Sequence, residues 1–258
     1  MSLRLTVIGC SGSLPGPRSA ASCYLVQSPT TSVVLDLGNG ALGPLQQYLG
    51  PHDLDAVLIS HLHPDHFVDL CGLYVALRYG PQAGQGHARL PVWGPASIRE
   101  HVTRAYGVPA EHGMNNVMDF YLYPEDPVAE TGMFTVGDLG FRIVRVEHPV
   151  PAYAVRVEHG GRSLVYSGDT APSAALVDLA AGADTLLCEA AFRDGADNPC
   201  GIHLTGSQAG EHAQQAGVGR LVVTHVPPWS DPQEAASAAS TTFTGPIEVA
   251  AQGLTLDI

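Results

Sequence analysis

Short apolar runs rich in β-branched residues recur along the chain and are separated by amphipathic or polar stretches. Eight runs have the length and composition of buried strands: LRLTVIG, SCYLVQ, TSVVLDLG, DAVLIS, FRIVRVE, RSLVYSG, DTLLCEA and RLVVT. Three of the intervening stretches have helical character: ALGPLQQYLG, FVDLCGLYVALRYG and SQAGEHAQQAGVG. Strands that alternate with helices predict an α/β fold.

Local signals refine these elements. Thr205 and Gln208 have the spacing of a capping box, and Gly217 follows as a stop, so the last helix should lie between Thr205 and Gly217. The stretch EHGGRSL predicts a hairpin turn. Residues 107–140 show no clear period, and we expect loops there with one strand at DFYLYP. Without a repeat or a linker, the chain is predicted to form one domain over residues 1–258.

Composition and charge narrow the classes of partner. Of the 258 residues, 45% are apolar and only 14% are charged, which indicates a folded protein with a large buried core. Twelve Lys and Arg against twenty-five Asp and Glu leave a formal charge of −13. A surface of that sign repels polyphosphate chains, so long nucleic acid is not an expected partner.

The cysteines and the apolar runs bear on the compartment. The five cysteines are odd in number and include no C-x-x-C pair, and most lie in apolar runs, so we expect reduced core residues. The N-terminal apolar stretch is too short for a signal peptide, and no run of about 18 apolar residues could span a bilayer. A cytoplasmic protein with no membrane association is therefore expected.

The stretch ISHLHPDHFVDL, residues 59–70, concentrates metal-ligand side chains directly after an apolar run. His61 and His63 alternate with Leu62 on an extended segment, so both should point the same way. Pro64 then turns the chain, which can bring Asp65 and His66 toward the same point. A solvated loop is the simpler interpretation of one histidine, but this pattern favours a site for zinc or another borderline cation.

Three further candidate ligands stand at the ends of other apolar runs. His148 follows FRIVRVE, Asp169 follows RSLVYSG, and His225 follows RLVVT. Strand ends combine a rigid backbone with open space, so functional side chains are often placed there. Seven ligands at four strand ends predict two metal ions. The remaining histidines outside these positions and His203 are expected at the surface: His52, His87, His101, His112, His159 and His212.

The motif with its three distant partners resembles the metallo-β-lactamase superfamily, and within it the ribonuclease Z-like branch. Further stretches, among them VIGCSGSLPGPRSAASCYLV, LLCEAAF, HLTGSQAGEHAQQAGV and VTHVPPW, resemble bacterial cyclic-nucleotide phosphodiesterases of that branch. The resemblance implies an αββα sandwich, with two mixed sheets flanked by helices and a dinuclear site at one edge. It also implies a division of ligands: His61, His63 and His148 on one metal, Asp65, His66 and His225 on the other, and Asp169 bridging.

A dinuclear site favours phosphodiester hydrolysis. Two cations about 3.5–4 Å apart can hold a hydroxide and stabilise both oxygens of an in-line displacement at phosphorus. Asp65 is expected to bind one metal and to orient the attacking water. The resemblance places His203 beside the metals as a catalytic group, although a packing role before the next helix is the alternative. Asp36 is either a hydrogen-bond partner of a ligating imidazole or a turn former at a strand end.

Departures from the relatives narrow the substrate. Ribonuclease Z carries a transfer RNA-gripping arm between the positions of His148 and Asp169, and here one short hairpin occupies that interval. Secreted β-lactamases typically have cysteine at the position of Asp169, and only 33 residues follow His225, too few for the helical domain of a glyoxalase II-type enzyme. We therefore expect hydrolysis of a small phosphodiester, with a 3′,5′-cyclic nucleotide such as cyclic AMP as first choice.

Several alternatives stay open at this point. The chain could be a ribonuclease Z-like endonuclease, a hydrolase of another small phosphodiester, ester or aryl sulfate, or a metal-binding protein without turnover. Zinc is the expected metal, and manganese and iron suit the same ligands. FVDLCGLYVALRYG is apolar on nearly every face, which predicts a homodimer that buries this helix. Four aromatic residues could stack on a base but are better explained as core: Tyr24, Phe67, Tyr74 and Trp229.

Overall fold

Two β-sheets pack face to face, and helices cover their outer faces, in the computed structural model of the chain. The structure describes residues 3–109, 114–124 and 132–258. Within these ranges the first sheet contains eight strands and the second contains seven. The layers therefore follow the αββα order that the resemblance implied, and the predicted fold class is confirmed.

The strands are numbered along the chain. In the described residues they are β1 (Arg4–Ser11), β2 (Ala20–Ala21), β3 (Cys23–Gln27), β4 (Ser32–Leu35), β5 (Ala56–Leu58), β6 (Leu90–Gly94), β7 (Met118–Leu122), β8 (Met133–Val136), β9 (Leu139–Val146), β10 (Ala152–His159), β11 (Arg162–Tyr166), β12 (Thr185–Glu189), β13 (Leu221–Thr224), β14 (Ile247–Val249) and β15 (Thr255–Asp257). All eight strands predicted from the apolar runs are among them.

Both sheets are mixed, and their parallel parts place the functional loops. The first sheet has the order β15-β1-β3-β4-β5-β6-β7, with β2 paired to β1, and the second has the order β14-β13-β12-β11-β10-β9-β8. Strands β4 to β7 are parallel to one another, as are β11 to β14. Because the carboxyl ends of parallel strands meet at one edge, the loops after β5, β11, β12 and β13 lie at the ends of the sheets where ligands usually bind.

Seven helices lie in the described residues: α1 (Leu42–Leu45), α2 (Pro64–Phe67), α3 (Leu70–Tyr79), α4 (Ile98–Tyr106), α5 (Ala174–Ala180), α6 (Gly206–Ala216) and α7 (Pro232–Ala239), besides a 3₁₀ turn at Pro51–Asp53. Helix α6 begins with the predicted capping box, in which the side chains of Thr205 and Gln208 each accept a hydrogen bond from the other's backbone N–H. It ends at Gly217, whose φ of 63° is left-handed, so the predicted bounds of this helix are confirmed.

Three apolar layers hold the sandwich together. The central layer lies between the sheets and is built from side chains such as Leu5, Tyr24, Val155, Tyr166 and Leu187. Helices α1, α3 and α4 cover the outer face of the first sheet, and α5 to α7 cover that of the second. Burial of these faces from water is the main force that stabilises the layered arrangement.

Two stretches differ from the predictions. ALGPLQQYLG forms only the short helix α1, because Gly43 and Pro44 are poor helix formers and the chain continues in turns with bonds such as Gln47 N to Pro44 O. In residues 107–140, β7 confirms the strand at DFYLYP, but β8 was predicted as loop. Its weak strand pattern is stabilised by antiparallel pairing with β9. Residues 110–113 and 125–131 of this stretch lie outside the described ranges.

The hairpin at EHGGRSL is confirmed, with His159 paired to Arg162.

In the part of the chain that the structure describes, no helix combines the length and apolar character needed to cross a membrane. All five cysteines are free; Cys23 and Cys188 are buried as expected, whereas Cys200 is exposed in a loop.

Candidate metal centre

The HLHPDH segment changes from an extended chain to a helix at Pro64. After β5 the chain stays extended through His63, whose φ and ψ are −78° and 144°. Pro64 is the first residue of α2, a position where its fixed φ and missing N–H are tolerated. Asp65 and His66 therefore project from the first turn of α2 toward the two preceding histidines. This is the turn that the sequence predicted, and its form is helical.

The other three candidate ligands follow strands of the second sheet. His148 lies after β9, Asp169 after β11 and His225 after β13. Gly168, just before Asp169, has φ of 58°, and a Cβ there would lie 2.9 Å from the Tyr153 carbonyl oxygen, so only glycine fits. His225 itself has φ of 56°, a left-handed conformation that is rare for a non-glycine residue. Such backbone strain is concentrated at functional sites in proteins.

The seven predicted ligands converge in two groups that share one carboxylate. One group contains His61, His63, His148 and Asp169, and the other contains Asp65, His66, Asp169 and His225. In each group the candidate ligand atoms all lie within 4.8 Å of one another. This is the same division that the resemblance implied, with Asp169 common to both groups.

Hydrogen bonds at Nδ1 of His148 and of His61 leave Nε2 of each ring facing the other candidate ligands. Nδ1 of His148 donates to the Ile202 carbonyl at 2.9 Å, which leaves Nε2 facing the first group. Ser60 Oγ donates to Asp36 at 2.7 Å, and so it accepts from Nδ1 of His61 at 3.1 Å. His61 likewise presents Nε2 to the cluster. Fixing the tautomer in this way is typical of imidazoles that bind metals.

Asp36 orients the second group from a fully buried position. Its Oδ2 accepts hydrogen bonds from Nδ1 of His66 and from the Tyr166 hydroxyl, both at 2.7 Å, in addition to the Ser60 hydroxyl. Oδ1 accepts from the Ser60 N–H at 2.6 Å. Asp36 also has φ of 58° directly after β4, a conformation typical of a turn. Asp36 therefore has both of the roles that the sequence offered as alternatives, the hydrogen-bond partner of an imidazole and the turn former.

The donor set fits metal ions. Three buried atoms at the centre make no hydrogen bond among the described residues: His66 Nε2, His225 Nε2 and Asp169 Oδ1. Buried polar atoms without partners are costly in a folded protein, whereas a cation between them would satisfy all three. Imidazole nitrogens with carboxylate oxygens suit zinc and related divalent ions. These groups could therefore hold metal.

The pKa values of the histidines in the first group favour the neutral, ligating form. Burial lowers the pKa of His61 well below its usual range, and the neighbouring His66 adds to the effect. Burial also lowers the pKa of His63 and of His148. Each of these imidazoles therefore keeps a lone pair at neutral pH, as metal binding requires.

The carboxylates of Asp169 and Asp65 are ionised in buried positions and are stabilised by nearby positive charge. Burial alone would raise the pKa of Asp169, but the surrounding imidazoles, led by His225, hold it well below its ordinary value. Asp65 follows the same pattern: burial opposes ionisation, and His66 lowers its pKa to about 2. The pKa of His66 shifts the other way, because Asp169 and Asp36 outweigh burial and raise it well above its usual range. A bound cation would supply this charge instead of a proton.

His203 lies beside the two groups and is held by a buried glutamate. Its Nδ1 is 2.9 Å from Oε1 of Glu189 and 3.8 Å from Oδ2 of Asp169. Burial would lower the pKa of His203, but the negative charge of Glu189 outweighs burial and raises it to about 9. Glu189 also accepts hydrogen bonds from the N–H groups of Thr170 and Ala191. Asp169, Glu189 and His203 also form a group whose candidate ligand atoms lie within 4.8 Å of one another. Because these N–H groups and His203 already bind the carboxylate oxygens of Glu189, we assign Glu189 to orienting His203 rather than to binding a metal.

Sequence reasoning missed Glu189, and it left the role of Asp36 open between two alternatives. The signal for Glu189 was a glutamate at the end of the apolar run DTLLCEA, the same pattern that identified the ligands. Among the other histidines, His87 and His101 are exposed and His52 and His159 are half-buried. His212 is buried, contrary to expectation. Its Nε2 accepts a hydrogen bond from the Ser173 N–H, and its Nδ1 donates one to the Gln208 carbonyl. His112 lies outside the described residues.

Comparison with known proteins identifies the family. A model of the beta-lactamase superfamily domain matches residues 31–226. An uncharacterized protein of Mycobacterium leprae is 40% identical over 100% of this chain and 89% of its own length. Ribonuclease Z of Mycobacterium bovis is 31% identical over 96% of this chain and 95% of its own length.

A solved structure shows the same architecture. The probable metallo-hydrolase YhfI of Bacillus subtilis is 31% identical over 97% of this chain and 98% of its own length. Its crystal structure, that of a metallo-beta-lactamase fold protein, matches with a TM-score of 0.88 and 29% identity, covering 100% of both chains. The chain therefore belongs to the beta-lactamase superfamily and is a metallo-hydrolase of this fold.

Proposed function

We propose that the chain is a metal-dependent phosphodiesterase that hydrolyses 3′,5′-cyclic nucleotides such as cyclic AMP. The observation that carries the proposal is the pair of ligand groups joined through Asp169. Paired sites of this kind are used in phosphatases and nucleases, where two charges are needed to stabilise the attacking and the leaving oxygen. Zinc is the proposed metal, two ions per chain, on the basis of the imidazole-rich donor set.

Asp65 and His203 have different roles beside the metals in this proposal. Bound divalent cations would polarise the phosphoryl group and lower the pKa of a water molecule. Asp65, on α2 within the second group, offers a carboxylate that can orient this water and accept its proton. His203 has Nδ1 bound to Glu189, which leaves Nε2 to donate a hydrogen bond to the departing alkoxide or to a phosphoryl oxygen.

The surroundings of the centre favour a small substrate. Residues 149–168, between His148 and Asp169, are all described and form only the hairpin of β10 and β11, so this interval holds no arm for a transfer RNA. The formal charge of −13 disfavours long polyanions. A cyclic nucleotide has a single negative charge, and the field of two nearby divalent ions outweighs the net charge of the protein locally.

A ribonuclease Z-like activity is the second candidate, supported by the 31% identity to ribonuclease Z of Mycobacterium bovis. The two functions are separated by assaying cyclic AMP and precursor transfer RNA side by side, with metal-stripped and reconstituted protein at matched salt. We expect metal-dependent formation of a nucleoside monophosphate and little or no cleavage of the RNA. Efficient 3′ trimming of the RNA without attack on cyclic nucleotides would reverse the order, and turnover of neither would favour an ester, an aryl sulfate or a non-catalytic role.

A further inference from the structure

Two large apolar side chains are exposed on loops at the edge that carries the metal centre. Trp229 is 70% exposed, the largest value among the exposed large apolar residues described, and Leu14 is 41% exposed. Trp229 lies four residues after the candidate ligand His225, in the segment VPPWS. Leu14 lies in the loop that follows β1. We call this pair the apolar rim.

The two loops of the apolar rim contact each other against the backbone of His225. The Gly12 N–H donates to the Val226 carbonyl at 3.2 Å. A Cβ on Gly12 would lie only 2.2 Å from the His225 carbonyl oxygen, which shows how closely the first loop approaches the ligand. Further along, Gly16 lies against the ring of Pro228, the residue before Trp229. The apolar rim is therefore fixed beside the second metal group.

A cavity opens between these loops. Its volume is about 340 Å³, and its walls include Thr224, Val226, Pro228 and Ser230, the chain neighbours of His225 and Trp229, but not His225, Trp229 or Leu14 themselves. Arg18 lines the same cavity and makes no ion pair with any described residue, although acidic residues outnumber Lys and Arg in the chain by twenty-five to twelve. Apolar walls with a few polar groups are typical of small-molecule sites.

We propose that the apolar rim is the subsite for the nucleobase of the substrate, with the indole of Trp229 stacked on the base. This inference rests on the proposed phosphodiesterase function and adds the part of the site that would recognise the base of the cyclic nucleotide. Of the four aromatic residues considered for stacking, Tyr24, Phe67 and Tyr74 are buried in the core, and only Trp229 presents its ring to solvent. An exposed aromatic face stacks on any base.

Fluorescence of the metal-loaded protein tests the stacking directly. The chain has two tryptophans, and the ring of Trp93 stacks on those of Tyr121 and Phe134. A Trp93→Phe variant therefore reports on Trp229 alone. Titration with adenosine 5′-monophosphate should quench this emission, whereas ribose 5-phosphate, which has the same phosphate and sugar but no base, should leave it unchanged.

Kinetics provide the second measurement. Trp229→Ala should raise KM for cyclic AMP by about 5- to 150-fold, the range that loss of base stacking gives, with kcat within about twofold of wild type. Trp229→Phe should keep most of the affinity because it keeps a ring. Tyr48→Ala, which removes an exposed aromatic residue outside the apolar rim, is the matched control and should change neither constant.

The outcomes separate this inference from the proposed function. Wild-type turnover of cyclic AMP with equal KM in Trp229→Ala, or equal quenching by both ligands, overturns the subsite and leaves the phosphodiesterase standing. A lower molecular mass of Trp229→Ala by light scattering, at unchanged KM, assigns the apolar rim to a contact with a second copy and also overturns it. A wild type that neither binds nor hydrolyses any cyclic nucleotide overturns both.

Discussion

Nδ1 of His66 donates a 2.7 Å hydrogen bond to Oδ2 of Asp36, a carboxylate with no exposure to solvent. The same oxygen accepts from the hydroxyls of Ser60 and Tyr166, so its position is fixed from both sheets. The bond aims Nε2 of His66 at Asp65 and Asp169, each 3.3 Å away. A carboxylate outside the ligand groups thus determines which nitrogen of His66 is available to a metal.

Asp36→Asn should weaken metal binding without removing a ligand. An amide can no longer accept from all of these donors, so the tautomer and the orientation of His66 are less well fixed. We expect the metal dissociation constant to rise about 10- to 100-fold, measured by competition with a chromogenic chelator. Asp55→Asn, at an exposed carboxylate away from the centre, is the control. Equal metal affinity in the Asp36 variant and in wild type would contradict the role of this bond.

The two ligand groups predict the metal content. Purified protein should contain up to two transition-metal equivalents per chain by plasma mass spectrometry. His63→Ala should reduce occupancy of the first group, and Asp169→Ala should affect both, because Asp169 belongs to both. His87→Ala, at an exposed histidine outside the cluster, should retain full content. Undiminished metal and turnover in both ligand variants would disprove the assignment of the centre.

His203 should matter for the rate and not for the metals. His203→Ala is expected to keep full metal content and to lose about 10²- to 10⁴-fold in kcat, the usual contribution of general acid catalysis. Glu189→Gln should lower kcat less than His203→Ala, with KM near wild type, because the amide oxygen can still accept the hydrogen bond from Nδ1 of His203. Glu211→Gln, exposed on α6, is the control for Glu189. Loss of metal in His203→Ala would make His203 a ligand, and an unchanged rate would leave it a packing residue.

The predicted homodimer concerns the outer face of α3. Leu70, Leu73 and Leu77 are buried against the first sheet, while Tyr79 on the same helix is 64% exposed. If a second copy covers this face, Tyr79→Glu should shift the mass from dimer to monomer in light scattering at micromolar protein, because a carboxylate would be buried without a partner. Met133→Glu, at a residue on β8 with the same exposed fraction, should leave the mass unchanged. A monomeric wild type would disprove the dimer.

The convergence of the candidate ligands could be predicted from the sequence because each is a local signal. A polar residue directly after an apolar run marks the end of a strand. His61, His148, Asp169 and His225 all follow this rule. The supporting bonds could not be predicted in the same way. Asp36 contacts His66 and Tyr166 only after β4, β5 and β11 come together, and neither propensity nor spacing contains that pairing. Strand β8 was missed for a related reason, since its partner β9 stabilises it.

The first ligand group joins the two sheets. His61 and His63 come from the loop after β5 in one sheet, whereas His148 and Asp169 follow strands of the other. A ligand that binds only the folded chain stabilises it by about 4 kcal/mol at a thousandfold excess over its dissociation constant. Removal of metal with a chelator should therefore lower Tm and speed amide exchange at the facing ends of β5 and β11. The metal centre would then also hold the two sheets of the sandwich together. Loss of metal would lower the stability of the folded protein as well as its activity.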